Sequence, residues 1–221
     1  MNGPAPDLGS GRQTLTEVAY RRLEEMIVTL ELAPGAVVSE AILSRRLGIG
    51  MTPVREATQR LKRDHLLQVL PRRGVVVTAV DVRLQLEVLE VRREVDRLIA
   101  RGAARRAAPE QRSALAALAP DMEAAATGGD VHLFLRLHKT AMPLLADAAR
   151  NAVAAGVAAP LHAVSRRFWF YHRAVADVPR TVELHADVLR QVVEGREAEA
   201  AAANDRLLDH LAAFARATLQ G

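Results

Sequence analysis

The chain has 221 residues, half of them hydrophobic, with 28 Arg and 2 Lys against 26 acidic groups, a formal net charge of +4 and no cysteine. That is enough chain for one large core or two small ones. The lack of cysteine excludes disulfides and thiolate metal sites, and no apolar run reaches the length of a membrane span. The positive excess is concentrated: residues 45–73 hold eight basic side chains against Glu56 and Asp64, whereas residues 79–221 carry 19 basic and 18 acidic groups. Met1 to Asp7 lacks the basic and apolar segments of a signal peptide, so a cytoplasmic protein is expected.

Residues 1–13, rich in Gly and Pro, are expected to form a disordered tail. From Thr14, the residues Leu15, Val18, Leu23, Ile27 and Leu30 recur at helical spacing and predict a helix ending before Pro34-Gly35. Ser39 is placed to cap a short helix through Leu47, with Ile42, Leu43 and Leu47 inward and Gly48 as its stop. Thr52-Pro53 starts another helix, Thr52 capping the free amides and Pro53 tolerated in the first turn. Leu67–Leu70 and Val75–Thr78, separated by Pro71-Arg72-Arg73-Gly74, read as a hairpin. Beyond Asp81 the Ala-, Leu- and Arg-rich segments lack strand alternation. Helices are predicted near 81–107, 110–126, 130–150, 153–174, 178–194 and 196–218, broken at Pro109, Thr127-Gly128-Gly129, Val178-Pro179 and Gly195. The expected class is mainly α, a helix-turn-helix with a hairpin followed by an all-helical bundle.

On the helix from Thr52, Val54, Ala57 and Leu61 share the packing face, with Thr58 at its edge. Thr52, Arg55 and Gln59 share another face, extended by Arg63. The macrodipole disfavours a cation such as Arg55 in a first turn, so local stability explains its position poorly. A phosphate or a guanine edge would offset that penalty, and a solvated surface arginine is the plainer alternative. In such a unit the second helix enters the major groove and the hairpin reaches the adjoining backbone or minor groove.

The run Leu32-Ala33-Pro34-Gly35 to Glu40, then Leu43-Ser44-Arg45-Arg46-Leu47-Gly48-Ile49-Gly50-Met51-Thr52-Pro53-Val54-Arg55-Glu56-Ala57, Leu61 and Arg72-Arg73-Gly74-Val75-Val76-Val77 resembles the winged helix-turn-helix domain of GntR-family transcription regulators. The resemblance covers residues 14–78. It implies that Thr52 and Arg55 contact DNA at the head of the recognition helix, with Gly74 at the wing tip and Arg73 beside it. Family members commonly carry Ser-Arg where this chain has Gly50-Met51. An arginine expected to read a base is therefore absent, and Arg45, Arg46 and Arg73 would carry more of the affinity. Loss of one bidentate base contact is worth about 1–3 kcal/mol of discrimination, so a non-standard operator is expected.

Residues 79–221, with Leu89-Glu90-Val91-Arg92-Arg93-Glu94-Val95-Asp96, resemble the helical effector-binding and dimerisation domain (FCD) of the FadR-type branch. Many relatives hold a divalent metal there on an Asp and a His one turn apart, then a His on each of two later helices. In this chain His138 falls in the Asp slot and Met142 in the first His slot. His185 matches the third ligand, and His210 resembles the fourth, with Leu207 competing for its place. Imidazoles suit zinc, nickel or copper, a thioether suits those divalent ions poorly, and three histidines still leave an open position. The alternative is that His138, His185 and His210 are hydrogen-bonded interior histidines. His65, His132, His162 and His172 fit no ligand spacing and read as surface or packing residues.

An effector pocket in the bundle is implied by the resemblance. Arg92, Arg166 and Arg167 are candidate carboxylate anchors, and Trp169 and Tyr171 a candidate aromatic wall, with His138 and His185 nearby. Each also has a structural reading, in solvent, core or interface. The function expected is a ligand-responsive repressor, a homodimer on a pseudo-palindromic DNA operator, answering to a small carboxylate metabolite. The competing readings are an architectural DNA-binding protein without effector and a metal-binding helical-bundle enzyme, the latter lacking a carboxylate spaced to act as general base.

Overall fold

The computed structural model describes residues 14–70 and 74–219. The expected tail over 1–13 and the hairpin residues Arg72 and Arg73 lie outside them. The chain divides into two compact units, one through Ile27 and over Glu31–Thr78, the other over Val28–Leu30 and from Ala79 onward.

The first unit comprises α1 (Leu15–Val28), β1 (Val37–Val38), α2 (Glu40–Leu47), α3 (Met51–Arg63), β2 (Leu67–Leu70) and β3 (Gly74–Val77). Leu23, Ile27, Leu43, Val54, Leu61 and Val75 form its core. The first helix stops earlier than Pro34, because Leu30 turns left-handed at φ 63 and Leu32 N–H donates to Met26 O at 2.8 Å, closing the end. Ser39 caps α2 by accepting from Ile42 N–H at 3.2 Å, and Gly48 ends it in the left-handed region. Ile42, expected inward, is 47% exposed, since the buried stripe of this short helix runs along Leu43 and Leu47 about a quarter-turn away.

The third helix begins two residues earlier than expected, with Gly50 in the N-cap position, so Thr52 is not its N-cap. Ser44 fixes this start, its hydroxyl donating to Ile49 O at 2.6 Å and its carbonyl accepting from Ile49 N–H. The hairpin pairs Leu67 with Val77 and Leu70 with Gly74, and β1 adds a third strand through Val37 and Val76, giving the order β1-β3-β2.

The second unit holds α4 (Val82–Arg106), α5 (Pro109–Thr127), α6 (Val131–Ala148), α7 (Ala152–Tyr171), a 3-10 turn over Arg173–Val175, α8 (Val178–Val193) and α9 (Glu197–Ala217). The side chains of Asp81, Asp130, Asn151 and Asp177 cap four of these helices, each accepting a first-turn N–H. Alanines at zero exposure in α4, α6, α7, α8 and α9 allow the axes to approach closely around Leu115, Met122, Phe168, Leu189 and Leu208. The protein is mainly α, and among the described residues no helix is long and apolar enough to cross a membrane.

Candidate nucleic-acid interface and bundle cavity

On α3, Val54, Ala57, Thr58 and Leu61 are buried, which leaves Thr52, Arg55, Gln59 and Arg63 exposed. Gly50 brings no side-chain acceptor to the helix start, so the first-turn amides and the positive dipole end remain available to an anion. Arg55 has a local partner that sequence spacing did not reveal. Its Nε donates to Glu40 Oε2 at 3.1 Å, and Thr58 Oγ1 lies 3.1 Å from the other oxygen of the same carboxylate. The Arg55 side chain remains 64% exposed, held in one orientation with donors to spare.

Three contacts brace this helix. Tyr20 Oη donates to Asp64 Oδ2 at 2.7 Å, the Arg60 guanidinium lies 3.8 Å over the Tyr20 ring, and Arg60 donates to Glu17 at 2.8 Å. Arg22 donates to Leu47 O at 2.8 Å and so ties down the end of α2. Arg45 and Arg46 project from the last turn of α2, exposed, with Arg46 paired to Glu31.

Gly74, expected at the wing tip, is the first residue of β3 and pairs with Leu70. It adopts φ 99, and a Cβ there would stand 2.6 Å from Val38 O. Backbone geometry and the close approach of β1 thus explain this glycine.

In the second unit a cavity of about 420 Å³, counting its open mouth, is lined by Arg92, His138, His162, Arg166, Trp169 and His185 among others. The sequence-derived residues Arg92, His138, Arg166, Trp169 and His185 are brought together. Tyr171 is exposed, and Arg167 is buried but not among the lining residues. Phe134, Leu135, Phe168, Leu211 and Phe214 supply apolar walls. Arg92 is 3% exposed and sends Nε and Nη2 to Asp96 Oδ2, each at 2.9 Å. His162 Nε2 stands 2.9 Å from Asp96 Oδ1 and donates to it. His162, expected to be a packing or surface residue, is therefore part of the polar centre. The i,i+4 spacing of Arg92 and Asp96 was a readable signal, but nothing in the sequence joins either to a residue so far away.

Burial alone would raise the Asp96 carboxyl, but His162 and Arg92 reverse this and hold it at about 2. Burial, aided by Arg92, lowers His138 well below the ordinary imidazole value and His185 to about 4, although the bond from His185 Nδ1 to Thr181 O at 2.8 Å works in the opposite sense. Both rings are neutral near pH 7. His138 Nδ1 and Trp169 Nε1 are buried without a hydrogen-bond partner.

The metal implied by the resemblance does not fit these residues. His210 lines neither bundle cavity and instead has Nε2 2.9 Å from Thr181 Oγ1. Because the Thr181 hydroxyl donates to Asp177 O, that nitrogen carries the proton and donates. Met142 and Leu207 lie on an adjoining cavity of about 380 Å³ shared by Arg92, Asp96, His162 and His185. Among the described residues no group of three or more His, Cys, Asp or Glu side chains is placed to hold a metal ion.

Comparison with known proteins accords with this architecture. Residues 15–77 match the model for bacterial regulatory proteins of the gntR family, and residues 87–211 match the FCD domain. A transcriptional regulator from an unstable DNA locus of Streptomyces ambofaciens is 43% identical over 72 residues, which span 33% of this chain and 30% of that protein. The transcriptional repressor RspR of Escherichia coli K12 is 33% identical over 92 residues, 42% of this chain and 40% of RspR. The chain thus spans less than half the length of these relatives. The solved structure of E. coli McbR/YncC superposes with a TM-score of 0.81 at 19% identity, covering 94% of this chain and 99% of that one. A GntR regulator structure from Rhodococcus sp. RHA1 superposes at 0.69 with 19% identity, covering 91% and 97%. With a GntR-type helix-turn-helix ahead of an FCD domain that spans more than half its length, the chain belongs to the GntR family, in its FadR-type branch.

Proposed function

We propose that the protein is a ligand-responsive transcription regulator, a repressor that binds a two-fold symmetric DNA operator as a homodimer in the cytoplasm. The observation that carries this reading is the head of α3. A helix start without a side-chain cap carries exposed Thr52, Arg55, Gln59 and Arg63 on one face, and Glu40 fixes the reach of Arg55. Phosphates at the amide end and a guanine edge at Arg55 match those donors. The relative RspR, a repressor by name, supports the sign of regulation. The cavity lined by Arg92 and Trp169 supports an effector site, and its neutral, carboxylate-poor histidines support a binding rather than a catalytic role.

The homodimer reading draws on α4. Glu87, Val91, Glu94, Leu98, Arg101 and Arg105 recur at steps of four and three and are all exposed, Val91 at 48% and Leu98 at 50%. The row is acidic in its first half and basic in its second. Laid antiparallel on a second copy, Val91 faces the partner's Leu98 while Glu87 and Glu90 meet the partner's Arg101. Sedimentation of Leu98→Glu is expected to show a larger monomer fraction than the parent.

The overall reading is tested by selecting duplexes from a randomised pool with the full chain. An enriched sequence of two inverted half-sites supports it. Retention of DNA with no enriched sequence would point to an architectural binder instead.

A further inference from the structure

We propose that the bundle cavity is a metal-independent receptor for a small carboxylate with an apolar body, with the buried Arg92 guanidinium and the Trp169 indole N–H supplying donors to its oxygens. The inference rests on reading this cavity as the effector site and goes further by removing the metal from recognition.

The donor set argues against a bound cation. His138 and His185 are the two cavity imidazoles in the slots the resemblance assigned, and Met142 and Leu207 stand where further nitrogen ligands would be needed. Asp96, the carboxylate on the adjoining cavity, is already committed to Arg92 and His162.

The same residues favour an anion. Asp96 Oδ2 takes Arg92 through Nε and Nη2, one edge of the guanidinium. Trp169 Nε1, which can only donate, is buried on the same cavity without a partner, as is His138 Nδ1. Buried polar atoms left unpaired in a protein ask for a partner from outside it. A guanidinium and an indole N–H together ask for acceptor oxygens, and a carboxylate offers two. Phe134, Phe168 and Phe214 then receive an aromatic or aliphatic body. Asp96 and His162 act as positioning residues, since they hold Arg92 and do not face the ligand through free donors.

Trp169 is the only tryptophan in the chain, so its fluorescence reports on this cavity alone. The test uses the full chain, dialysed against EDTA, with its metal content measured by plasma mass spectrometry before and after. The probes are benzoate, hexanoate, their neutral analogues benzamide and hexanamide, and Ni²⁺ or Zn²⁺ alone. Expected are substoichiometric metal throughout, a Trp169 emission change and a raised melting temperature with the acids, no effect of EDTA on either, and a much weaker response to the amides. Arg92→Gln should weaken acid binding by about 10- to 100-fold, the scale of a lost charged hydrogen bond. If that variant does not fold, Trp169→Phe keeps an aromatic ring and deletes the N–H, and should reduce the melting shift produced by the acids.

A metal retained at one per chain, with acid binding abolished by EDTA, would overturn the proposal while leaving the cavity as the effector site. Equal response to acids and amides would overturn the anion assignment, as would silence toward every probe. Acid binding that leaves Trp169 emission unchanged and survives both substitutions would instead refute the placement of the effector site.

Discussion

Glu40 Oε2 accepts a hydrogen bond from Arg55 Nε at 3.1 Å, joining the first residue of α2 to the head of α3. Glu40 thereby sets the direction of the side chain best placed to meet a base. Glu40→Gln is expected to cost at most about 1 kcal/mol in chemical denaturation, because Arg55 is mostly solvated. It should lower the ratio of operator to random-DNA affinity in anisotropy titrations. An unchanged ratio would mean that Arg55 needs no such guide.

Gly74→Ala should destabilise the first unit by about 1–3 kcal/mol, since alanine would be forced to φ 99 with its Cβ against Val38 O. Gly48→Ala adopts φ 65 with no atom within 4 Å of the new Cβ, and should cost about 1 kcal/mol. Denaturation curves for the two variants distinguish crowding from backbone strain alone. Similar losses would show that the Val38 contact relaxes.

Asp96→Asn removes the carboxylate that neutralises Arg92 and accepts from His162. Leaving a buried guanidinium without its counter-charge is expected to cost about 3–5 kcal/mol, visible as a large drop in melting temperature. A variant as stable as the parent would show that Arg92 is paired elsewhere.

Acid should weaken the bundle through His185 and His138. Their folded pKa values lie below the ordinary 6.5, at about 4 for His185, so between those values the unfolded chain binds more protons. Stability contributed by the neutral rings is present above pH 6.5 and is lost as pH falls toward 4, by up to about 1.4 kcal/mol per pH unit for each ring. Melting temperatures of the parent and of His185→Gln should converge across that window. Parallel curves would remove His185 as a source of the acid sensitivity.

The helices were legible because long apolar periodicity, Pro109 at a helix start and the cap residues Asp81, Asp130, Asn151 and Asp177 leave local signals. The strand β1 was not, since Val37–Val38 is too short to show alternation and depends on pairing with β3. At the DNA-reading head the row Thr52, Arg55 and Gln59 follows from helical spacing alone, while the start at Met51 depends on Ser44. In the bundle, Arg92, His138, Arg166, Trp169 and His185 were singled out as site candidates. The role of His162 arises only when α7 is packed beside α4, bringing it to Asp96 across 66 residues of chain. His210 illustrates the converse, a ligand-like position in sequence that the fold turns toward Thr181.

The claim that the head of α3 reads sequence is tested most directly by fluorescence anisotropy of Arg55→Ala against the selected duplex and a scrambled one at matched salt. The predicted result is a loss of about 10- to 100-fold on the selected duplex, the worth of a bidentate base contact, with little change on scrambled DNA. Equal losses on both duplexes would contradict it and reduce Arg55 to a phosphate contact.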